Sequence, residues 1–586
     1  MDLGISLLLG CPLSPKANLK NSVSNHRNRR RLASRLMGME TEYATLIMNH
    51  AELRHQDLPA SKAIYKAICD AIRRDQPTAE GLFDSDQMFL ASGGAVTFES
   101  HPSMHALPGG LIEVATPEVH SPSELLACQR SIDSMVEEAA RDVDLDVDLR
   151  VLKNSSDALG HIYGCQENYE TEVASGVWLL VYRLMVCVLW AMQFCTMLIL
   201  FPLMAMVFAL VAVLRLSQTP DAKTDGGPEE MFHVVPSWVG NLIIRVHRIV
   251  HFPTVLTLRF VARRVAFRRQ RKYLTAFLIS RPAICGSGLL DHDGRYWLSV
   301  KAMATDSVAD MGGFRGERPI FVYGHWLGHY CARSYLSLGS TLRMFCRRQR
   351  LQIGLSDSNL SDLSEYVKFG AVSLLLDLIE SGRGKELPTI AKPIRCLSKL
   401  AGDWHLVTRV PTSQGKLSAI DIQRKYLKAA AALVESTPVN RRGEAPLVIQ
   451  RWGELLDTVI AYRRNADDIE DAIGNVDWLT KRWLIDQMGD VTWAEKKKID
   501  LRYHELSRDG YYRQLSEAKP GLELIDPDQI SRRRRSPPAS SPAAKRGWLI
   551  REFSGSDESL QAEWTHAMIG RGKNRRRIEF IEPLSE

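Results

Sequence analysis

The sequence predicts an α+β protein interrupted by an inserted transmembrane or amphipathic helical module. Three observations carry that prediction. Short stretches at 35–47, 88–100 and 109–118 alternate in the two-residue period of strands and carry acids along them. The run from Val177 to Leu214 is apolar with Arg183 as its one charge, well beyond the roughly 20 residues needed to cross a hydrocarbon core. A composition of 45% hydrophobic and 24% charged residues over 586 positions excludes a disordered chain and supplies core for two or three domains.

Taken in order, residues 1–36 read as a basic disordered arm, marked by "NHRNRRRLASR". The opening "MDLGISLLLGC" has the outline of a lipobox ending at Cys11, but Asp2 is its only early charge and the positive region of a signal is absent. The folded domain begins at Met37. In "RLMGMETEYATLI" Glu40 and Glu42 stand at i and i+2, on one face of a strand. Adjacent carboxylates repel unless a cation lies between them, which points to Mg²⁺ carried by nucleotide phosphates; a solvated strand face is the alternative. "MFLASGGAVTFES" reads as a glycine turn feeding a strand through Thr97 and Glu99, and "GGLIEVATPE" places Glu113 on a strand closed by Thr116, Pro117 and Glu118. "VLKNSSDALGHIYGCQENYE" adds Lys153, Asn154 and Glu167. Together these segments predict a sheet with an acidic face.

The apolar run fits one long tilted helix, or two crossings turning near Gln193 to Thr196. If its flanks share one domain, the chain must return to the side it left. A return through Trp238 to Leu258 would place Arg245 and Arg248 in the bilayer at about 2.5–3.5 kcal/mol each. Val235 to Lys272 holds nine Lys/Arg from Arg245 onward and no acid, which suits the cytoplasmic interface and anionic lipid. A basic helix packed on the protein surface is the alternative, and nucleic acid is not expected. Ten scattered cysteines without a CxxC pair read as reduced thiols in the cytoplasm. His325 and His329 in "HWLGH" share a helix spacing but lack a third ligand and read as structural. "SRRRRSPPASSPAAKRG" (531–547) reads as a disordered linker.

In sequence order, "MGMETEYA", "FLASGG…FE", "IEVATPE", "KNSSD…YGCQENY", "FLISRPAICGSG", "RLQIGLSDSNLSDLSEYVKFG", "VDWLTKR" and "DLRYHEL" resemble the family of Pup ligases and Pup deamidases. These enzymes act on the prokaryotic ubiquitin-like protein, Pup. The resemblance runs from Met37 to about Arg551 and is broken once, where about 100 residues separate "ENY" from the family's "FL(I/V)(S/T)RQ" strand. It implies a curved antiparallel sheet cradle with helices, as in glutamine synthetase, plus a small C-terminal domain. The organisation it implies is a catalytic domain split between 37–175 and 273–495, a membrane insertion at 176–272 (apolar 177–214, basic amphipathic 235–272), and a C-terminal domain at 496–586.

By the same resemblance Glu40, Glu42 and Glu113 bind metal, Thr116 and Trp478 contact ATP, and Glu99 stands in for the family's catalytic aspartate. Lys153, Asn154 and Glu167 are further possible site residues. The cofactors implied are ATP and Mg²⁺, and the partners are Pup, its target proteins and membrane lipid. The sequence departs from the family where Ala95 and Thr97 replace an arginine and a tyrosine, and where Gln166 and Gln352 replace histidines. A glutamine offers a carbonyl oxygen but no basic nitrogen. "TPEVHSP" and "SDLSEYVKFG" lean toward a deamidase that also cleaves Pup from lysine. The alternatives are an ATP-dependent Pup–protein ligase and a membrane-bound pseudoenzyme that binds nucleotide or Pup without turnover. The expected location is membrane-attached, with the catalytic domain in the cytoplasm.

Overall fold

The computed structural model describes residues 30–48, 58–99, 111–158, 160–216, 237–312, 316–331, 342–556 and 558–580. It divides into two compact units. The first is the chain as far as Glu170 with Tyr273–Thr305 and Gln352 onward; the second is Thr171–Lys272 with Asp306–Leu351.

In the first unit β1 (Met37–Ile47) buries Met39, Thr41 and Tyr43 on one face and leaves Glu40 and Glu42 half-exposed on the other. That alternation is the one read from the sequence. Strands β2 (Thr78–Gly81), β3 (Gln87–Leu90), β4 (Ala95–Glu99), β5 (Leu111–Ala115), β6 (Leu149–Leu152) and β7 (Cys165–Glu172) complete its neighbourhood. The order is β7-β1-β5-β4-β3-β2, with β6 also on β1 and every one of these pairings antiparallel.

Helices α1 (Ser61–Asp75) and α2 (Pro122–Arg141) cover the buried face, closing a core of Tyr43, Ile64, Ile68, Val96, Ile112, Val114 and Val136. Ser121 starts α2 by accepting a hydrogen bond from the Glu124 amide, with proline in the first turn.

The second unit contains α3 (Val177–Leu216) and α4 (Ser237–Phe260), packed on each other. Residues 217–236 between them lie outside the described residues. Helix α3 runs unbroken through Gln193–Thr196, so of the two readings of the apolar run it is the single long helix and not the turn, and Pro202 lies within it. Among the described residues α3 is the one helix long and apolar enough to cross a membrane, over Val177–Leu203, by length and composition.

Parallel strands β8 (Ser307–Asp310) and β9 (Pro319–Val322) join this unit. Arg259 binds Asp310 at 2.9 Å and also Glu317, and Arg263 binds Asp310. These ion pairs tie the insertion to 306–351, which the sequence had assigned to the catalytic domain. Part of the basic stretch is therefore internal pairing.

The expected "FLISRP" strand is helical: it ends α5 (Arg268–Ser280). Phe277 and Leu278 are fully buried there, and Gln423 donates to the Ser280 hydroxyl. The histidines of "HWLGH" lie on α6 (Gly324–Cys331), which packs on α3 and α4; no metal-binding group of acids, histidines or cysteines occurs among the described residues. Helix α7 (Asp362–Glu380) is buried along nearly its whole length.

Residues 531–547 are not a disordered linker. They end α8 (Pro527–Arg535) and begin α9 (Ala543–Phe553), with Ser541 and Ala543 buried. The C-terminal segment is no separate domain either. Its strands β11 (Leu560–Ala562), β12 (His566–Ile569) and β13 (Arg576–Glu579) extend the same sheet, β11 running parallel to β2, so the sheet is mixed. Strand β10 (Arg348–Ile353) borders β7.

At the other terminus, residues 1–29 lie outside the described residues, but Arg30 to Leu36 are packed. The Arg35 guanidinium is wholly buried and bound to Asp377 at 2.5 Å and Glu380 at 3.2 Å. Cys69, Cys128, Cys165, Cys187, Cys195, Cys285, Cys346 and Cys396 are free thiols.

Candidate active site

The sheet face opposite α1 and α2 carries the acids. Glu42 of β1 stands directly opposite Glu113 of β5, Glu113 opposite Thr97 of β4, and Thr97 opposite Gln87 of β3. Gln87 donates to the Thr97 hydroxyl at 3.3 Å. One row over, Glu40 lies between Ala115 and Gln166. Gln352 donates its amide to Glu40 Oε2 at 2.9 Å and also to Gln166 Oε1. The two histidine-to-glutamine departures thus fall in one cluster on Glu40. Glu99 ends β4 opposite Leu111, two residues beyond Thr97.

Gly164 sets the position of Glu42. A Cβ at 164 would sit 1.9 Å from Glu42 Oε1, and the Gly164 carbonyl accepts the Glu42 amide at 3.1 Å. Only a residue without a side chain lets that carboxylate lie against β7. The glycine was present in "YGCQENY" but no spacing rule marked its role.

Glu42 and Glu113 fit a divalent cation, because like charges facing each other across a ladder destabilise it unless neutralised. Glu40, Glu42 and Glu113 do not form a closed metal-binding group in this conformation.

The remaining expected site residues stand apart from this row. Thr116 is buried, its hydroxyl accepting the Met39 amide at 3.0 Å, which prolongs the β1–β5 ladder beside Glu40. Trp478 is 0% exposed, with its indole N–H given to the Ala283 carbonyl at 3.1 Å and its ring against Tyr462. It offers no surface to a nucleotide here, contrary to the expectation.

Glu167 and Lys153 belong to the buried face. Arg281 grips Glu167 with two nitrogens, at 2.7 and 3.1 Å, and Tyr169 donates to it at 2.5 Å. Burial alone would raise the Glu167 carboxyl, but Arg281 holds it below the usual range. Lys153 binds Asp133 at 3.0 Å and Glu365 at 3.7 Å. Burial pushes Asp133 up, and Lys153 with Arg130 outweighs it and leaves the carboxyl lowered. Asn154 donates to the Ser156 carbonyl, and its Oδ1 has no partner among the described residues. Glu167 and Lys153 are parts of the scaffold under the sheet, Glu167 because the period-two pattern puts the neighbours of Gln166 on the opposite side, and Asn154 is buried in the loop after β6.

Two loops of the motif set are locked from the C-terminal segment. Arg546, wholly buried, binds Glu118 at 2.6 Å and the Gly93 carbonyl, and lies 4.7 Å from the Trp564 ring. No sequence signal singled it out.

This mixed α/β fold is similar to that of the ligase PafA. Its structure in complex with Pup aligns with a TM-score of 0.62 at 18% identity, covering 94% of this chain and 89% of that one. PafA in complex with ADP gives 0.55 at 18% identity, over 85% and 86%. Among curated proteins, the Pup–protein ligase of Acidimicrobium ferrooxidans is 23% identical over 571 residues, 95% of this chain and 97% of that protein. That of Actinosynnema mirum is 27% identical over 319 residues, 53% and 66%. The model of the family described as Pup-ligase protein matches residues 35–568, and the chain belongs to that family.

Proposed function

We propose that this chain is an ATP- and Mg²⁺-dependent Pup–protein ligase, joining the γ-carboxyl of Pup's C-terminal glutamate to a lysine of a target protein. The observation that carries this reading is the facing Glu42–Glu113 pair with Glu40 fixed beside it by Gln352. The relatives named above are ligases by name, which favours the ligase over the deamidase leaning of the sequence. The wording behind that leaning has structural duties instead: Glu118 of "TPEVHSP" binds Arg546, and Glu365 of "SDLSEYVKFG" pairs with Lys368.

In the reaction a γ-carboxylate oxygen attacks the terminal phosphorus of ATP and ADP leaves. The lysine amine then attacks the acyl carbon, phosphate departs, and the amine's proton goes to a base. Glu40, Glu42 and Glu113 would hold Mg²⁺, which neutralises the phosphate charge. Glu99 would supply the base.

The test is purified protein with Pup ending in glutamate, Mg²⁺-ATP and a lysine-bearing target. ADP and conjugate should form in equal amounts, and Glu113→Gln should lower both at least about 100-fold. Conversion of glutamine-ended Pup to glutamate without ADP would make it a deamidase; nucleotide binding without either product would make it a non-catalytic binder.

We also infer attachment to a membrane through α3 and α4, with the first unit on the cytoplasmic side. The chain leaves that unit at Glu170 and re-enters it at Tyr273, which returns it to one side.

A further inference from the structure

Helix α3 has the polarity expected in hydrocarbon and reversed for water. Its buried stripe is Tyr182, Val186, Leu189, Gln193 and Thr196, and the Gln193 amide has no partner among the described residues. Its outer side carries Leu180, Leu184, Phe194, Leu198 and Phe201, each at least 59% exposed. Helix α4 shares this only in its later part, burying His251 and Thr254 with Val255 and Leu258 and exposing Ile249, Phe252 and Leu256, while Arg245 and Arg248 are exposed nearer its start. Apolar groups outside with polar groups in the seam is the arrangement a bilayer selects.

One end of this pair is chemically distinct. After a π-helical turn at Val261–Val265 the chain bends at Phe267, whose φ of 49° lies in the left-handed region that large side chains avoid. The bend is fixed: the Phe267 amide donates to the Val173 carbonyl at 2.6 Å, and its buried ring packs on Tyr323 and Trp326. It carries Arg268 back over the start of α3, where the guanidinium lies 4.3 Å from the Trp178 ring.

Arg259 and Arg263 are bound to Asp310, whereas the exposed Arg264 and Arg268 have no carboxylate partner among the described residues. A tryptophan beside an arginine at the end of an apolar helix is the pairing of a headgroup boundary.

We propose that this end of the α3–α4 pair is a binding site for the headgroups of anionic phospholipids, with Arg264 and Arg268 on the phosphate and Trp178 at the boundary. The site rests on the membrane attachment inferred above. A polybasic contact of this kind is worth about fivefold in partitioning per arginine.

The experiment floats the full chain, freed of detergent, with vesicles of phosphatidylcholine alone or of phosphatidylcholine with phosphatidylglycerol. Cys187 and Cys195, exposed on α3, are labelled in parallel with a membrane-impermeant maleimide. The expected result is binding to both vesicles, about thirtyfold stronger with phosphatidylglycerol, and protection of both cysteines. In the Arg264→Gln/Arg268→Gln protein that preference should vanish while attachment to phosphatidylcholine and ADP-induced thermal stabilisation persist.

Equal binding of the unsubstituted protein to both vesicles would overturn the headgroup site and leave attachment standing. No binding to either, with both cysteines labelled, would overturn attachment. Protection without vesicles that grows with protein concentration would assign the face to a second copy of the chain. Release by glycerol phosphate would assign the arginines to a soluble phosphate, and either result would overturn the proposal.

Discussion

At Glu40 the structure turns two apparent losses into one arrangement. Gln166 and Gln352 remove histidines that the family resemblance implies, yet the Gln352 amide donates both to Glu40 and to the Gln166 oxygen, so a neutral group holds the carboxylate. A neutral partner keeps Glu40 in place without competing for its charge. Gln352→Glu sets a second carboxylate at hydrogen-bond distance from Glu40, where like charges raise one carboxyl. ATP-dependent conjugation should fall at least about tenfold, and Gln352→Asn should retain more of it. His504 gives a prediction of a different kind. It is wholly buried, and burial, with Lys481 and Lys153 nearby, pushes it well below the ordinary value. It therefore stays neutral in the folded protein, while the unfolded chain takes up a proton near pH 6.5. Its contribution to stability is complete above pH 6.5 and is lost as pH falls below that, by up to about 1.4 kcal/mol per pH unit. The drop in urea midpoint from pH 7.5 to pH 5.5 should be smaller in His504→Gln than in the unsubstituted protein. The acids on β1 and β5 were legible because a strand's period is two. Trp478 and Glu167 were not, because a motif match carries no information on which side of a backbone the neighbours lie.

At the scale of elements, the strands of the acidic face matched the sequence closely, since each was bounded by glycine or polar residues and alternated within. "FLISRP" did not, because a short apolar run fits a strand or a buried helix equally by periodicity, and tertiary packing on Gln423 decided it. The 531–547 segment misled for a related reason. Proline, serine and arginine have the same composition whether solvated or packed, and here one buried arginine organises them. Arg546 joins α9 to the glycine turn at Gly93 and to Glu118. Arg546→Ala leaves those acceptors without their cation, and the unfolding free energy from urea titration should fall by about 3 kcal/mol. Arg546→Lys should recover part of this, being unable to reach Glu118 and the carbonyls of Gly93 and Trp564 at once.

For the whole molecule, the sequence placed an insertion at 176–272, and Thr171–Lys272 falls in the second compact unit. Its partnership with 306–351 was not legible there, because that rests on Arg259, Arg263, Asp310 and Glu317 meeting across more than forty residues. The proposed site residues and the apolar helix pair belong to separate compact units, so the proposed chemistry and the proposed attachment can be tested apart. The central claim is that the acidic face activates a carboxyl group at the expense of ATP. Its most direct test places oxygen-18 in the γ-carboxylate of Pup's terminal glutamate and follows the inorganic phosphate released in a single turnover with ATP and a lysine-bearing target. Labelled phosphate appearing in step with ADP and conjugate is the expected result, since the carboxylate oxygen leaves on phosphorus. Conjugate formed with unlabelled phosphate, or glutamine-ended Pup hydrolysed with no ADP, would contradict it.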